Sequence, residues 1–180
     1  MAEDEYISER VNNYLGKDGS YHGETKVVHF LELLRDTVGF DKLKEAVVNP
    51  LTGRKIGAYY GCLLLRPNHI MRMDDPENPS LLEDLIRAMG GEPVVYPYRN
   101  ECCGGYVVLE NEASAEKKSH AILESARKAG AEMVVTACPL CRYNLEKHRG
   151  TDGIATEYFT KLLAEALGVT PDKEQTKEAE

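Results

Sequence analysis

The chain has 180 residues, 42% hydrophobic and 29% charged with no tryptophan, the composition of an ordinary soluble globular protein with enough chain for one proper core. Its net charge of −8 excludes a nucleic-acid surface, which needs clustered Lys and Arg. No apolar run reaches membrane-spanning length, and the acidic start MAEDEYISER lacks a secretory apolar segment, so a cytoplasmic location with reduced thiols is expected.

Residues 5–15 read as a short amphipathic helix closed by Gly16 and a polar turn through Gly19 to Gly23. Over 27–38, Val27, Phe30, Leu31, Leu34 and Val38 recur at helical spacing, and Gly39 stands where a helix-ending glycine belongs. Asp41 is expected to cap a shorter helix that stops before Asn49-Pro50. After the turn at Leu51-Thr52-Gly53, the β-rich KIGAYYG delivers Cys62 at its C-terminal end.

From there strand and helix alternate. Asn78 and Pro79 suit an N-cap and first helical position, and Leu81, Leu82, Leu85, Ile86 and Met89 form the buried stripe of a helix stopped by Gly90-Gly91. PVVYPY (93–98) reads as the second strand, with Cys102-Cys103 after it. Residues 112–129 form the longest predicted helix, with Ala115, Ile122, Leu123 and Ala126 inward and Gly130 ending it. EMVVTA (132–137) is the third strand, followed by Cys138. Helices from Pro139 to about His148 and from about Thr156 to Leu167 complete the domain. Residues 1–53 thus read as a helical N-terminal linker region, 54–168 as the α/β domain, and 169–180 as a charged tail expected to be disordered.

The alternation predicts an α/β fold: a three-layer, Rossmann-like parallel sheet of about three to four strands with helices on both faces. Parallel strands all end on one edge, where ligands bind in such sheets. Cys62, Cys102-Cys103 and Cys138 each follow a different strand, so topology alone brings them to the carboxyl edge.

The chain's five cysteines are Cys62, Cys102, Cys103, Cys138 and Cys141, with 39 residues between the first two (63–101) and 34 between Cys103 and Cys138 (104–137). Isolated buried thiols account for Cys62 alone but fit poorly with a vicinal pair and a CxxC in one small domain. An odd count also leaves a simple disulfide framework one short. Thiolates gathered at turns point to soft metals or clusters. Cys138 at a helix N-terminus, with Cys141 one turn in, meets free N–H groups and the positive end of the dipole, which favour thiolates. Gly104-Gly105 lets backbone pass close to a bulky inorganic group. A tetrahedral zinc or a cubane [4Fe–4S] centre uses four ligands, and a thioredoxin-type CxxC uses two. Five thiolates suit a larger or unusual iron–sulfur assembly better.

GCLLLRP, DDPENP, ECCGG and VTACPLCRYNL together resemble the cysteine-rich CCG domain family, and within it the C-terminal half of the CCG subunit of heterodisulfide reductase. The resemblance runs over roughly residues 5–168, including VVHFLELL, VVNPL and the closing TEYFTKLLAEALG. It implies that Cys62, Cys102, Cys103, Cys138 and Cys141 hold a noncubane [4Fe–4S] cluster, and that the chemistry is reduction of a disulfide with electrons delivered one at a time. It also implies partners: a chain carrying the other CCG half and a ferredoxin-like subunit with cubane clusters, because the family's subunit carries two such cysteine sets and this chain has one. A homodimer is the simpler alternative. A non-catalytic electron-transfer or scaffold module holding a cluster, or zinc, would use the same ligands.

Arg66, His69, Arg72 and Arg142 flank the cysteine loops; Arg66, His69 and Arg142 are the candidate groups for an anionic substrate, against ordinary loop charges. DDPENP is expected to form a turn and N-cap. Tyr59 and Tyr60 are expected to mark the two faces of a strand. His22, His29 and His120 show no ligand spacing, and His148 reads as a cation at a helix C-terminus.

Overall fold

A computed structural model describes residues 4–16 and 21–169. The chain divides into two compact units, with the boundary at Leu33/Leu34. In the first, α1 (Glu5–Leu15) matches the expected helix and opens on Asp4, whose carboxylate accepts the Ile7 N–H at 3.1 Å. None of its described side chains is buried. Asn12 holds the following loop by giving its amide to the Tyr21 carbonyl at 3.0 Å and accepting the Tyr21 N–H at 2.6 Å. The helix expected over 27–38 begins later, as α2 (Phe30–Glu32), and continues as a π-helical turn, Leu33–Val38, closed by Gly39 N–H on the Leu34 carbonyl at 2.9 Å.

In the second unit, α3 (Phe40–Ala46) starts on Gly39, and Asp41 sits inside its first turn without a capping hydrogen bond. The segment after α3 is tied to the sheet domain: Val48 and Asn49 donate to the Ala166 carbonyl and Leu51 to that of Met89. Four strands follow, β1 (Lys55–Tyr59), β2 (Glu92–Val94), β3 (Met133–Thr136) and β4 (Ala155–Tyr158), all parallel in the order β2-β1-β3-β4. Between and after them run α4 (Asn68–Met71), α5 (Leu81–Ala88), α6 (Glu112–Lys128), α7 (Pro139–Lys147) and α8 (Phe159–Ala166). Right-handed crossovers place α5 on one face of this sheet and α6 with α7 on the other, and α3 packs on α5 as α6 packs on α7.

The α/β architecture is as expected, and the fourth strand is a refinement. The last helix is expected from about Thr156, but residues 155–158 pair with β3, so α8 begins at Phe159. The second strand is shorter than PVVYPY suggested, because Pro97 brings no N–H for a ladder and Tyr96 turns inward to full burial. Asn78 does not cap α5. The helix opens at Ser80, and Asp74 of DDPENP accepts the N–H groups of Ser80 and Leu81, both at 2.7 Å. Asn78 instead accepts from the Arg99 guanidinium at 2.6 Å.

The predicted inner stripes are buried: Leu81, Leu82, Leu85, Ile86 and Met89 on one face, Ala115, Ile122, Leu123 and Ala126 on the other. The charged tail expected over 169–180 lies, beyond Val169, outside the described residues, as do residues 17–20 of the Gly16–Gly23 turn.

Candidate metal centre

The chain leaves β1 on one side for β2 and returns past β1 to β3, so the path reverses beyond the C-terminal ends of β1 and β3. Open α/β sheets hold ligands in the crevice at such a reversal. All five cysteines collect there, lining one small cavity of about 40 Å³, with Tyr60, Leu63, Leu64, Gly105, Tyr106 and Leu140 completing the wall.

Each cysteine arrives by a local device. Cys62 follows β1 through Gly61, whose φ of +66° suits glycine, and a Cβ there would stand 3.1 Å from the Cys141 sulfur. Cys102 and Cys103 end the loop after β2. Their backbone is fixed by the Cys103 carbonyl, which accepts the Asn144 amide at 2.7 Å and the Ser119 hydroxyl at 3.3 Å. Gly105 packs close enough that a Cβ would meet Leu140 at 3.0 Å and the Cys103 sulfur at 3.5 Å. Cys138 is the N-cap of α7, its sulfur accepting the Cys141 N–H at 3.4 Å, with Pro139 at the first helical position.

The sulfurs form two close pairs, Cys62–Cys102 at 3.8 Å and Cys103–Cys141 at 3.7 Å. Two thiolates on one tetrahedral metal at about 2.3 Å each also stand about 3.8 Å apart. Among the described residues no three His, Cys, Asp or Glu side chains are grouped to hold a single metal ion. The thiols surround a space; they do not converge on a point.

Electrostatics divides the set. Cys103 is brought down to about 6, chiefly by the hydrogen bond from the Cys141 thiol, with help from the Gly105 N–H and the Asn144 amide against burial. Cys138 falls to about 6, again chiefly through Cys141 and then through the N–H groups of Cys141 and Leu140. Cys141 is pushed up because its proton is shared with those two sulfurs. Burial and the neighbouring Cys102 push Cys62 up. A soft metal replacing the shared proton would therefore find thiolates already favoured at two positions.

Tyr59 and Tyr60 are both buried. The Tyr59 hydroxyl donates to the Glu101 carbonyl at 2.7 Å, which braces the loop into Cys102. The Tyr60 hydroxyl donates to the Glu83 carboxylate and accepts the Leu82 N–H at 2.8 Å. Glu83 faces Arg99 at 3.3 Å, and the Arg99 carbonyl accepts the Tyr60 N–H at 2.8 Å. This network anchors the backbone two residues before Cys62. Neither it nor the Asn144–Ser119 pair follows from the motifs of the sequence. Ser119 carries one signal: it is a polar residue inside the Ala115–Ile122 stripe.

The flanking cations lie elsewhere. Arg66 donates to the carbonyls of Asn100 and Pro76 and pairs with Glu77 at 3.0 Å, fastening DDPENP to the loop after β2. His69 is exposed on α4, and Arg72 follows as its C-cap. Arg142 lies 3.7 Å from Glu157. None of the four lines the cysteine cavity.

The family described as CCG, cysteine-rich domain, matches residues 56–146. The chain is 32% identical over 180 residues to a Wolinella succinogenes protein named 8-methylmenaquinol:fumarate reductase membrane anchor subunit, covering 95% of this chain and 62% of that protein. It is 30% identical over 189 residues to a subunit of the ferredoxin:CoB-CoM heterodisulfide reductase of Methanosarcina mazei, covering 96% and 61%. A heterodisulfide reductase subunit from Methanosarcina acetivorans is 31% identical over 163 residues, covering 85% and 54%. The chain thus spans about three-fifths or less of the length of these relatives. No helix among the described residues is long and apolar enough to cross a membrane.

Proposed function

Because the chain belongs to the CCG cysteine-rich domain family, we propose that it is an iron–sulfur redox subunit of a heterodisulfide reductase-like complex, with a noncubane [4Fe–4S] cluster held by Cys62, Cys102, Cys103, Cys138 and Cys141. The observation that carries this reading is that all five thiols line one cavity at the carboxyl edge. The donor set fits the group. Two sulfur pairs at metal-sharing distance, with no three thiols on one point, favour several metal atoms over one zinc. Gly61 and Gly105 leave room where a Cβ would press on sulfur or on the cavity wall. The similarity to subunits named for heterodisulfide reductases supports a disulfide as substrate.

The reaction is R–S–S–R′ + 2 e⁻ + 2 H⁺ → RSH + R′SH, with the electrons from a ferredoxin-like donor subunit. When bound, the cluster supplies those electrons one at a time. This chain's residues do the rest. Asn144 and Ser119 hold the Cys103 backbone, and the N-terminus of α7 favours negative charge at Cys138 and Cys141. Leu63, Tyr106 and Leu140 line the cavity yet stand 54%, 70% and 37% exposed. An apolar lip of that kind marks an interaction surface, and we assign it to a chain carrying the other CCG half.

A second reading is favoured by one similarity. The Wolinella relative is named for menaquinol and fumarate, neither of which contains a disulfide. The same site can therefore serve as an electron-transfer module.

Anaerobic purification with iron and acid-labile sulfide analysis and EPR tests the centre. The expected result is near-equal iron and sulfide with a paramagnetic state on oxidation or reduction. Stoichiometric zinc without sulfide would overturn it. Disulfide reduction with an artificial donor, alone and with a partner chain, then separates catalysis from electron transfer.

A further inference from the structure

Among the described residues Glu83, on α5, is the one buried carboxyl, 1% exposed. Its Oε2 accepts the Tyr60 hydroxyl, and Tyr60 is also part of the wall of the cysteine cavity. One tyrosine side chain therefore separates this carboxyl from the space the five thiols surround. Glu83 Oε1 accepts no hydrogen bond from any described residue, although the Arg99 Nε lies 3.3 Å away as its ion-pair partner. A buried charge is costly unless it is both paired and hydrogen-bonded. One oxygen of this carboxylate has the ion pair alone, so a proton placed there would displace no hydrogen bond.

The surroundings leave the carboxyl between its two forms. Burial pushes it above its usual range and the Asp74 carboxylate adds to that, while the Tyr60 hydroxyl and the Arg99 guanidinium pull it back. Tyr96, buried on the loop after β2, feels the Glu83 charge in turn. On α5 itself, Asp84 is engaged by Arg87 at 2.6 Å. The other charged residues of the elements packed on α5 are exposed: Asp41, Lys42, Lys44 and Glu45 of α3, Lys55 of β1 and Glu92 of β2. An added negative charge on the order of 10 Å away, at an effective dielectric of about 20, raises such a pKa by about one unit.

We propose that Glu83 holds the proton that accompanies electron uptake at the cysteine cavity. The inference rests on the iron–sulfur reading above and deepens it. When one electron arrives from the donor subunit, the Glu83 carboxylate takes one proton from water and becomes the neutral acid. When that electron leaves for a disulfide, the proton returns to water, so two such cycles match the two electrons and two protons of the reduction. Glu83 does not touch the reacting sulfurs. It offsets the added charge through Tyr60, and a glutamine in its place would keep the hydrogen bond but lose that function.

The test is an EPR-monitored redox titration of the anaerobically loaded full chain, repeated from about pH 5 to pH 9, the range that raised buried carboxyls reach. One proton per electron over a window about one unit wide should lower the reduction equilibrium about tenfold as pH rises, about 59 mV in the midpoint potential. Glu83→Gln should be flat over the same range, and Glu83→Asp should restore the fall. Tyr60→Phe removes a hydrogen bond that favours the ionised form, so it should move the fall to higher pH without abolishing it. A purely structural role for Glu83 would move none of these slopes. Infrared difference spectra of the wild type need no variant: reduction should produce a protonated-carboxyl band that shifts in D₂O. A flat wild-type midpoint, a fall that survives Glu83→Gln, or the absence of that band overturns the proposal. Zinc with no redox transition sinks the iron–sulfur reading and this inference together, whereas a redox-active cluster with a flat midpoint sinks this inference alone.

Discussion

Cys103 and Cys141 belong to the hydrophobic core, packed among Tyr59, Ile122 and Leu145 and only 4% and 6% exposed. Cys62 and Cys102 are spaced almost identically, 3.8 Å against 3.7 Å, but are only half-buried where they line the cavity. The supports differ as well. The inner pair depends on uncharged hydrogen bonds from Asn144 and Ser119, and on a helix N-terminus. The outer pair hangs from a strand end anchored by Tyr60, Glu83 and Arg99, a buried titratable network. The inner thiols are built into the core, whereas the outer ones stay partly exposed.

The strongest way to break this comparison is to delete one thiol from each pair. Cys103→Ala should lower iron and sulfide loading by more than about 100-fold, beyond the usual effect of removing a residue that merely supports a ligand, and cost the apo fold about 1–2 kcal/mol. Cys62→Ala should keep the fold and part of the iron. Iron and sulfide analysis after anaerobic reconstitution, with urea unfolding, reads both. Equal loading losses with no difference in stability would erase the distinction.

Asn144→Ala comes next. It strips the Cys103 carbonyl of its shorter hydrogen bond inside the core and leaves the Ser119 hydroxyl one partner fewer. The expected cost is about 1–3 kcal/mol in urea unfolding, with roughly tenfold weaker cluster retention against a chelator. Gly61→Ala reaches both pairs at once. A side chain at φ +66° is strained, and its Cβ would crowd the Cys141 sulfur at 3.1 Å. It should cost about 1–2 kcal/mol and alter the cluster's EPR signal without abolishing loading.

The convergence of the cysteines was legible because parallel strands share one edge, and only the order of elements was needed to see it. The helix stripes were legible from spacing. What escaped depends on contacts across long loops. Asp74 caps α5 from seven residues before Leu81, so the nearer Asn78 and Pro79 looked sufficient. Glu83 is off the apolar stripe of α5, and it is buried only because Tyr60 and Arg99 arrive from two other segments. Thr156 could open a helix, and it is the empty edge of β3 that recruits it into a strand.

The smallest expected effect probes the titratable anchor of the outer pair. Burial pushes the Glu83 carboxyl above its usual 4.5, outweighing the Tyr60 hydrogen bond and the Arg99 charge that pull it down. An acid with a raised pKa in the folded state favours folding most below its unfolded pKa, and that contribution is lost as pH rises through the folded value. Glu83→Gln keeps an acceptor for the Tyr60 hydroxyl but cannot ionise. The stability of the wild type relative to this variant should therefore fall as pH rises from 4.5 towards neutrality. Ser119→Ala, which removes an uncharged support of the inner pair, should shift the urea midpoint by the same amount across that range. Midpoints measured at three pH values decide it. A flat difference for Glu83→Gln, or a pH slope for Ser119→Ala matching it, would mean that the two pairs are not held by different chemistry.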